Sequence, residues 1–172
     1  MTTRTLTRRA LFAGAALVPL LACSAEGQTP RIPHGADETR FASSPWRRLT
    51  PQQWRARLSP DAFHILREEG TERVFTSPLL DEHRRGTFAC AGCALPLFRS
   101  AWKFDSGTGW PSFYRSMEDN LATSDVPGVF DLYREVHCAQ CLGHQGHVFT
   151  DGPRPTGLRY CIDGVALRFV PA

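Results

Sequence analysis

Lysine is nearly missing from this chain of 172 residues, occurring once, as Lys103. Internal repeats and low-complexity tracts are missing altogether, and with 42% hydrophobic and 22% charged residues the composition excludes a disordered, collagen-like or coiled-coil chain. No apolar run is long enough to cross a bilayer: the longest, Ala10 to Ala22, has 13 residues. At ~1.5 Å each these span about 20 Å of a hydrocarbon core ~30 Å thick. An excess of one charge is also lacking. Arg4, Arg8 and Arg9 precede any acidic residue, and the remainder carries 17 positive against 17 negative side chains, which argues against attraction to nucleic acid or anionic lipid. What remains is the profile of one globular domain, large enough to bury a core without disulfide staples.

Residues 1–23 read as a targeting segment: a basic stretch, the apolar run, then Cys23. Thr7-Arg8-Arg9-Ala10-Leu11-Phe12 resembles a twin-arginine export signal, and Leu20-Leu21-Ala22-Cys23 resembles a lipobox, whose cysteine is lipidated and becomes the mature N-terminus. Cleavage after Ala25, leaving a soluble periplasmic protein, is the alternative. Either way the chain is expected in the periplasm or cell envelope, with Cys23 as a membrane tether in the first case. Residues 24–45, rich in Ser, Gly, Thr and Pro, read as a flexible tether, and residues 46–172 as the folded domain.

Two short helices are predicted to open that domain. Thr50-Pro51-Gln52-Gln53 supplies an N-cap, an N1 proline and a capping-box glutamine, Ser59-Pro60-Asp61 repeats the cap and proline, and Gly70 is placed to end the second helix. From Gly86 onward short strands and turns follow. Val129 to His137 alternates as a strand should, and Leu158–Ile162 with Val165–Val170 is predicted to pair around an Asp163-Gly164 turn. The fold class is mainly β, antiparallel, with an N-terminal helical cap.

Six cysteines stand out. Cys90-Ala91-Gly92-Cys93 and Cys138-Ala139-Gln140-Cys141 form two C-x2-C pairs, 44 residues apart, and four such thiolates suit one tetrahedral zinc ion. The other readings are two disulfides or redox pairs. Neither pair has the strand-to-helix context of a redox motif, and the long spacing suggests a metal that pins two distant β segments together. Four cysteine ligands also close the coordination sphere, which favours a structural over a catalytic ion.

Cys161 then stands alone. On a strand over 158–163, Arg159, Cys161 and Asp163 share one face, and an Arg beside a thiol favours the nucleophilic thiolate. His144 and His147, in Gly143-His144-Gln145-Gly146-His147, whose glycines are read as allowing a tight loop, could move protons. The bland readings are an inert buried cysteine and surface histidines.

Gly107-Thr108-Gly109-Trp110-Pro111-Ser112-Phe113-Tyr114, Gly143-His144-Gln145-Gly146-His147-Val148-Phe149-Thr150-Asp151-Gly152-Pro153 and Pro155-Thr156-Gly157-Leu158-Arg159-Tyr160-Cys161-Ile162, framed by both cysteine pairs, closely resemble the type-B peptide-methionine (R)-S-oxide reductases over roughly residues 46–172. The resemblance implies two antiparallel sheets in an Mss4-like β fold, one structural Zn2+ per chain, and reduction of the R epimer of methionine sulfoxide. Carried over by position, Cys161 attacks the sulfoxide sulfur, His144 and His147 bind and protonate its oxygen, and Arg159 favours the thiolate. Trp110, Phe149 and Asp163 are the implied substrate-binding residues. The implied partners are oxidised methionine-containing proteins and a thioredoxin-like reductant, with the chain acting as a monomer and binding no nucleic acid.

Two positions depart from the family pattern. Asp163 stands where Asn is usual, and Thr108 where many members carry a resolving cysteine. A zinc-ribbon-like binding module without catalysis is the rival reading, and replacement of Cys161 separates the two.

Overall fold

The computed structural model describes residues 1, 30–129 and 132–172. The leader, Cys23 and residues 24–29 lie outside them. Helices α1 (Pro51–Arg55) and α2 (Pro60–Glu68) begin where the caps predict. Gln53 N–H donates to Thr50 Oγ1 at 3.3 Å while Thr50 N–H donates to Gln53 Oε1 at 2.8 Å, a complete capping box. Ser59 Oγ accepts from Ala62 N–H at 3.2 Å. The end of α2 differs by one residue from the prediction. Glu69 takes the left-handed backbone, at φ 55°, and Gly70 follows with its N–H on the His64 carbonyl at 3.1 Å. Gly70 is small because the His64 ring lies where its side chain would be.

Among the described residues nine strands follow: β1 (Gly86–Cys90), β2 (Pro96–Arg99), β3 (Lys103–Phe104), β4 (Ser112–Phe113), β5 (Leu121–Asp125), β6 (Tyr133–Cys138), β7 (His144–Phe149), β8 (Arg159–Ile162) and β9 (Leu167–Pro171). They build two antiparallel sheets, ordered β2-β1-β9 and β3-β4-β8-β7-β6-β5. Aromatic rings join the sheets: Phe98 of β2 stacks on Phe113 of β4 with centroids 4.3 Å apart, and Phe88 of β1 meets Phe113 edge-on at 5.0 Å. All three are fully buried, each contributing about 1.5–3 kcal/mol. Ile65 and Leu66 of α2 join the same core.

Three expectations change. The 158–170 hairpin does not form, because β8 and β9 belong to different sheets and a 3-10 turn, Gly164–Ala166, carries the chain between them. The Glu72 carboxylate fixes that crossing by accepting Gly164 N–H at 2.6 Å and Val165 N–H at 2.9 Å. The strand expected from Val129 begins at Tyr133, and Phe130 and Asp131 lie outside the described residues. Residues 30–45, expected to be part of a tether, lie against the domain instead: Ala36 N–H bonds Leu121 O at 2.8 Å, Ile32 is buried, and a 3-10 helix, Glu38–Phe41, is capped by Asp37.

Candidate active site

One face of the larger sheet collects the polar residues. Along β8, Tyr160 and Ile162 point into the core, so Arg159 and Cys161 point out, as the strand alternation predicts. Across the β7–β8 ladder Cys161 faces His147 and Arg159 faces Phe149, and on its other side Cys161 faces Ser112 of β4. Antiparallel partners hold their Cβ atoms about 4.5–5.5 Å apart, so the register alone brings His147 beside the thiol.

His144 and His147 lie three residues apart, which on a regular strand would put them on opposite faces. Between β6 and β7 the register slips: Val136 pairs with Gly146 but His137 pairs with His144, leaving Gln145 as an extra residue. This bulge returns His144 to the face of His147, and their rings sit edge to face with centroids 5.4 Å apart. The stretch read as a tight loop is therefore a bulged strand. Gly146 has φ 139°, and a Cβ there would run into the Cys161 carbonyl, so the bulge and the close approach both require glycine.

Around the thiol, Thr108 Oγ1 lies 3.8 Å from Cys161 Sγ, and Ser106 links Thr108 to Ser112 through hydroxyl bonds of 2.8 and 2.7 Å. Burial pushes the Cys161 thiol up, and the Asp163 charge adds to this, while Thr108 and Arg159 pull it down without cancelling the burial. The pull of Arg159 is tempered by Asp151, whose carboxylate accepts Nε and one terminal nitrogen, both at 2.9 Å. The guanidinium lies over the Phe149 ring, 4.2 Å from its centroid. Asp163, just past the strand end, is buried and pushed up to about 6, burial being the main cause and the nearby Glu72 another. Its Oδ1 accepts Glu72 N–H at 2.8 Å. Trp110 is fixed by its indole N–H on the Glu72 carbonyl at 3.3 Å.

The histidines are held from β6. Glu135 Oε1 lies 3.0 Å from His144 Nδ1 and Oε2 lies 3.3 Å from His137 Nδ1. Burial alone would raise Glu135, yet the two histidine bonds hold it well below the usual carboxylate range. His147 is lowered by burial and by His144 beside it, against the pull of Glu135. Buried His144 Nε2 has no hydrogen-bond partner among the described residues. Sequence reasoning missed Glu135, Asp151 and Glu72. Glu135 left a trace as the alternate neighbour of His137 on a strand, and Asp151 stood inside the motif that begins at Gly143 with no role given to it.

The two cysteine pairs converge at the far ends of β1 and β6. Each makes the same turn: Ala94 N–H returns to Cys90 O and Leu142 N–H to Cys138 O, both at 2.9 Å, with Ala94 and Leu142 left-handed at φ 67° and 59°. All four sulfurs lie within 4.8 Å of one another, with Cys90–Cys141 at 3.6 Å and Cys93–Cys138 at 3.5 Å. A tetrahedral ion with zinc–sulfur bonds of about 2.3 Å sets its sulfurs about 3.8 Å apart, so this donor set can hold one metal ion. No disulfide forms among the described residues, and Cys161 stands apart from the cluster.

The SelR domain family matches residues 58–171. Peptide methionine sulfoxide reductase MsrB of Thiobacillus denitrificans is 51% identical over 123 residues, covering 71% of this chain and 93% of that protein. The MsrB of Agrobacterium fabrum is 46% identical over 130 residues, covering 75% and 96%, and that of Pseudomonas putida 52% identical over 123 residues, covering 71% and 92%. Among solved structures, the 'Yippee-like' domain of Mis18 aligns with 52% of this chain and 98% of its own, at a TM-score of 0.42 and 17% identity.

Proposed function

Because the chain belongs to the SelR-domain family and is a peptide methionine sulfoxide reductase, we propose that Cys161 is its nucleophile and the R epimer of peptide-bound methionine sulfoxide its substrate. The observation that carries this reading is the single sheet face on which Cys161, His147 and His144 converge, with one buried imidazole nitrogen left without a partner. A sulfoxide sulfur is a poor electrophile until its oxygen gains a proton, so a thiolate and an acid must meet at one S=O group. The Cys161 thiolate attacks sulfur, His144 and His147 bind the oxygen and deliver the proton, and Trp110 packs against the substrate methyl group. Methionine leaves as the oxygen passes to Cys161, which becomes a sulfenic acid.

No second thiol lies beside Cys161 among the described residues: the others are the four clustered cysteines, and the hydroxyl 3.8 Å from its sulfur is that of Thr108. Recycling therefore uses an external dithiol of the thioredoxin type. One thiol condenses with the sulfenic acid, releasing water and forming a mixed disulfide, and the second displaces Cys161 as a free thiol. Cys90, Cys93, Cys138 and Cys141 hold one zinc ion, which supplies folding energy and leaves Cys161 outside its donor set. The leader supports export to the cell envelope, with Cys23 as lipid anchor, where the enzyme repairs oxidised envelope proteins. Mass spectrometry of the mature N-terminus tests that anchor.

The catalytic reading is tested by Cys161→Ser. The variant should lose turnover of R-sulfoxide peptide with dithiothreitol while keeping its bound metal. Wild-type turnover would remove Cys161 as nucleophile, and equal use of the S epimer would overturn the stereochemical assignment.

A further inference from the structure

We infer that Glu135 is a positioning residue that sets His144 as the proton donor, and that Glu38, carried by the segment ahead of the SelR domain, completes this support. The inference rests on the role of His144 proposed above. Glu135 divides its oxygens between two imidazoles, His144 Nδ1 at 3.0 Å and His137 Nδ1 at 3.3 Å. A carboxylate only accepts, so each Nδ1 facing it carries hydrogen. For His144 this leaves Nε2, buried and unpartnered, as the one nitrogen free to meet a substrate oxygen. The carboxylate also stabilises the charge of the imidazolium that must form before a proton is given up.

The support continues outward. His137 Nε2 lies 2.7 Å from Glu38 Oε1, so His137 has a carboxylate at both ring nitrogens and is locked between them. Glu38 is itself held by Arg47, whose terminal nitrogen reaches Glu38 O at 3.0 Å, Glu38 Oε2 at 3.4 Å and Ala139 O at 2.6 Å. Glu38 and Arg47 both precede residue 58, where the family match begins. The preceding segment thus reaches the site through side chains, and a freely moving tether would not. The charged and titratable groups around His144 are Glu135 and His137 on β6, His147 on β7 and Asp163 past the end of β8.

Full-length Glu135→Gln, Glu38→Gln and His144→Asn are compared for kcat, KM, bound metal and melting temperature, with 15N spectra of the histidine rings. Gln at 135 offers an oxygen to one imidazole and an NH2 to the other, so it cannot serve both. The expected result is a kcat about tenfold lower or more for Glu135→Gln, with KM within about twofold, and a His144 ring that leaves the Nδ1–H form. Glu38→Gln, which sits at the exposed end and is the fallback if position 135 does not tolerate Gln, should lower kcat about threefold. Unchanged kcat in both Gln variants overturns the inference. So does a loss of kcat with the His144 ring form unchanged, since that marks a merely structural role. Wild-type kcat in His144→Asn overturns the proposed role of His144 and this inference with it, whereas loss in His144→Asn with none in Glu135→Gln overturns the inference alone.

Discussion

At the end of β8 a half-buried thiol lies next to a buried carboxyl, and the charge of Asp163 makes Cys161 harder to ionise. Burial pushes the Cys161 thiol up and holds Asp163 at about 6, above its ordinary 3.8. Above pH 6 the Asp163 carboxylate carries a charge that opposes the Cys161 thiolate, whereas asparagine would carry none. Asp163→Asn should therefore shift iodoacetamide alkylation of Cys161 to lower pH, and an unchanged or higher midpoint would show that Asp163 is neutralised by a partner. The stability effect has a definite sign. A carboxylate whose folded value is raised favours folding while protonated, and that contribution is lost as pH rises from about 4 through 6. Asp163→Asn, still able to accept Glu72 N–H, should stabilise the protein at pH 8 by about 3 kcal/mol at most. Near pH 4 the gain should shrink toward nothing, and urea titrations at the two pH values measure the difference.

At the scale of elements, the β7 bulge does the most for the site, since without Gln145 as the extra residue His144 would face the core. Gly146→Ala sets a Cβ against the Cys161 carbonyl at a φ of 139°, and should cost about 1–3 kcal/mol of stability by chemical denaturation, with activity falling alongside. A fully active variant of unchanged stability would show that the bulge tolerates side chains. This element also marks where the sequence stopped being readable. Thr50 and Ser59 each bond the amide three residues away, so the helix starts are written locally, and Arg159 and Cys161 share a face by strand geometry alone. A bulge depends on register with a neighbouring strand, which one strand's residues do not specify. Asp163-Gly164 has turn chemistry whether the chain returns to the same sheet or crosses to the other, and the deciding carboxylate, Glu72, lies 92 residues away from Gly164. Glu135 and Asp151 gain their roles only through partners brought in by the ladder or a returning loop.

Over the whole molecule, the four-cysteine cluster ties the two sheets together, because Cys90 ends β1 of the smaller sheet and Cys138 ends β6 of the larger. A helical arginine braces the second pair: Arg67 donates to the carbonyls of Cys141 at 3.0 Å and Leu142 at 2.6 Å. Removing the ion with a chelator, or replacing Cys93 with Ser, should lower bound metal and melting temperature together by an amount corresponding to several kcal/mol. Folded, stable protein without metal would contradict that. The chemistry proposed for Cys161 needs one thiol alone, and the most direct measurement of it is a single turnover without reductant. Full-length protein is mixed with excess R-epimer sulfoxide peptide, trapped with dimedone, and read by mass spectrometry for product and adduct. The account predicts one methionine peptide released per chain, one dimedone adduct, on Cys161, and no product from the S epimer. Product formed without an adduct on Cys161, or with Cys161 in a disulfide to another cysteine of the chain, would contradict it.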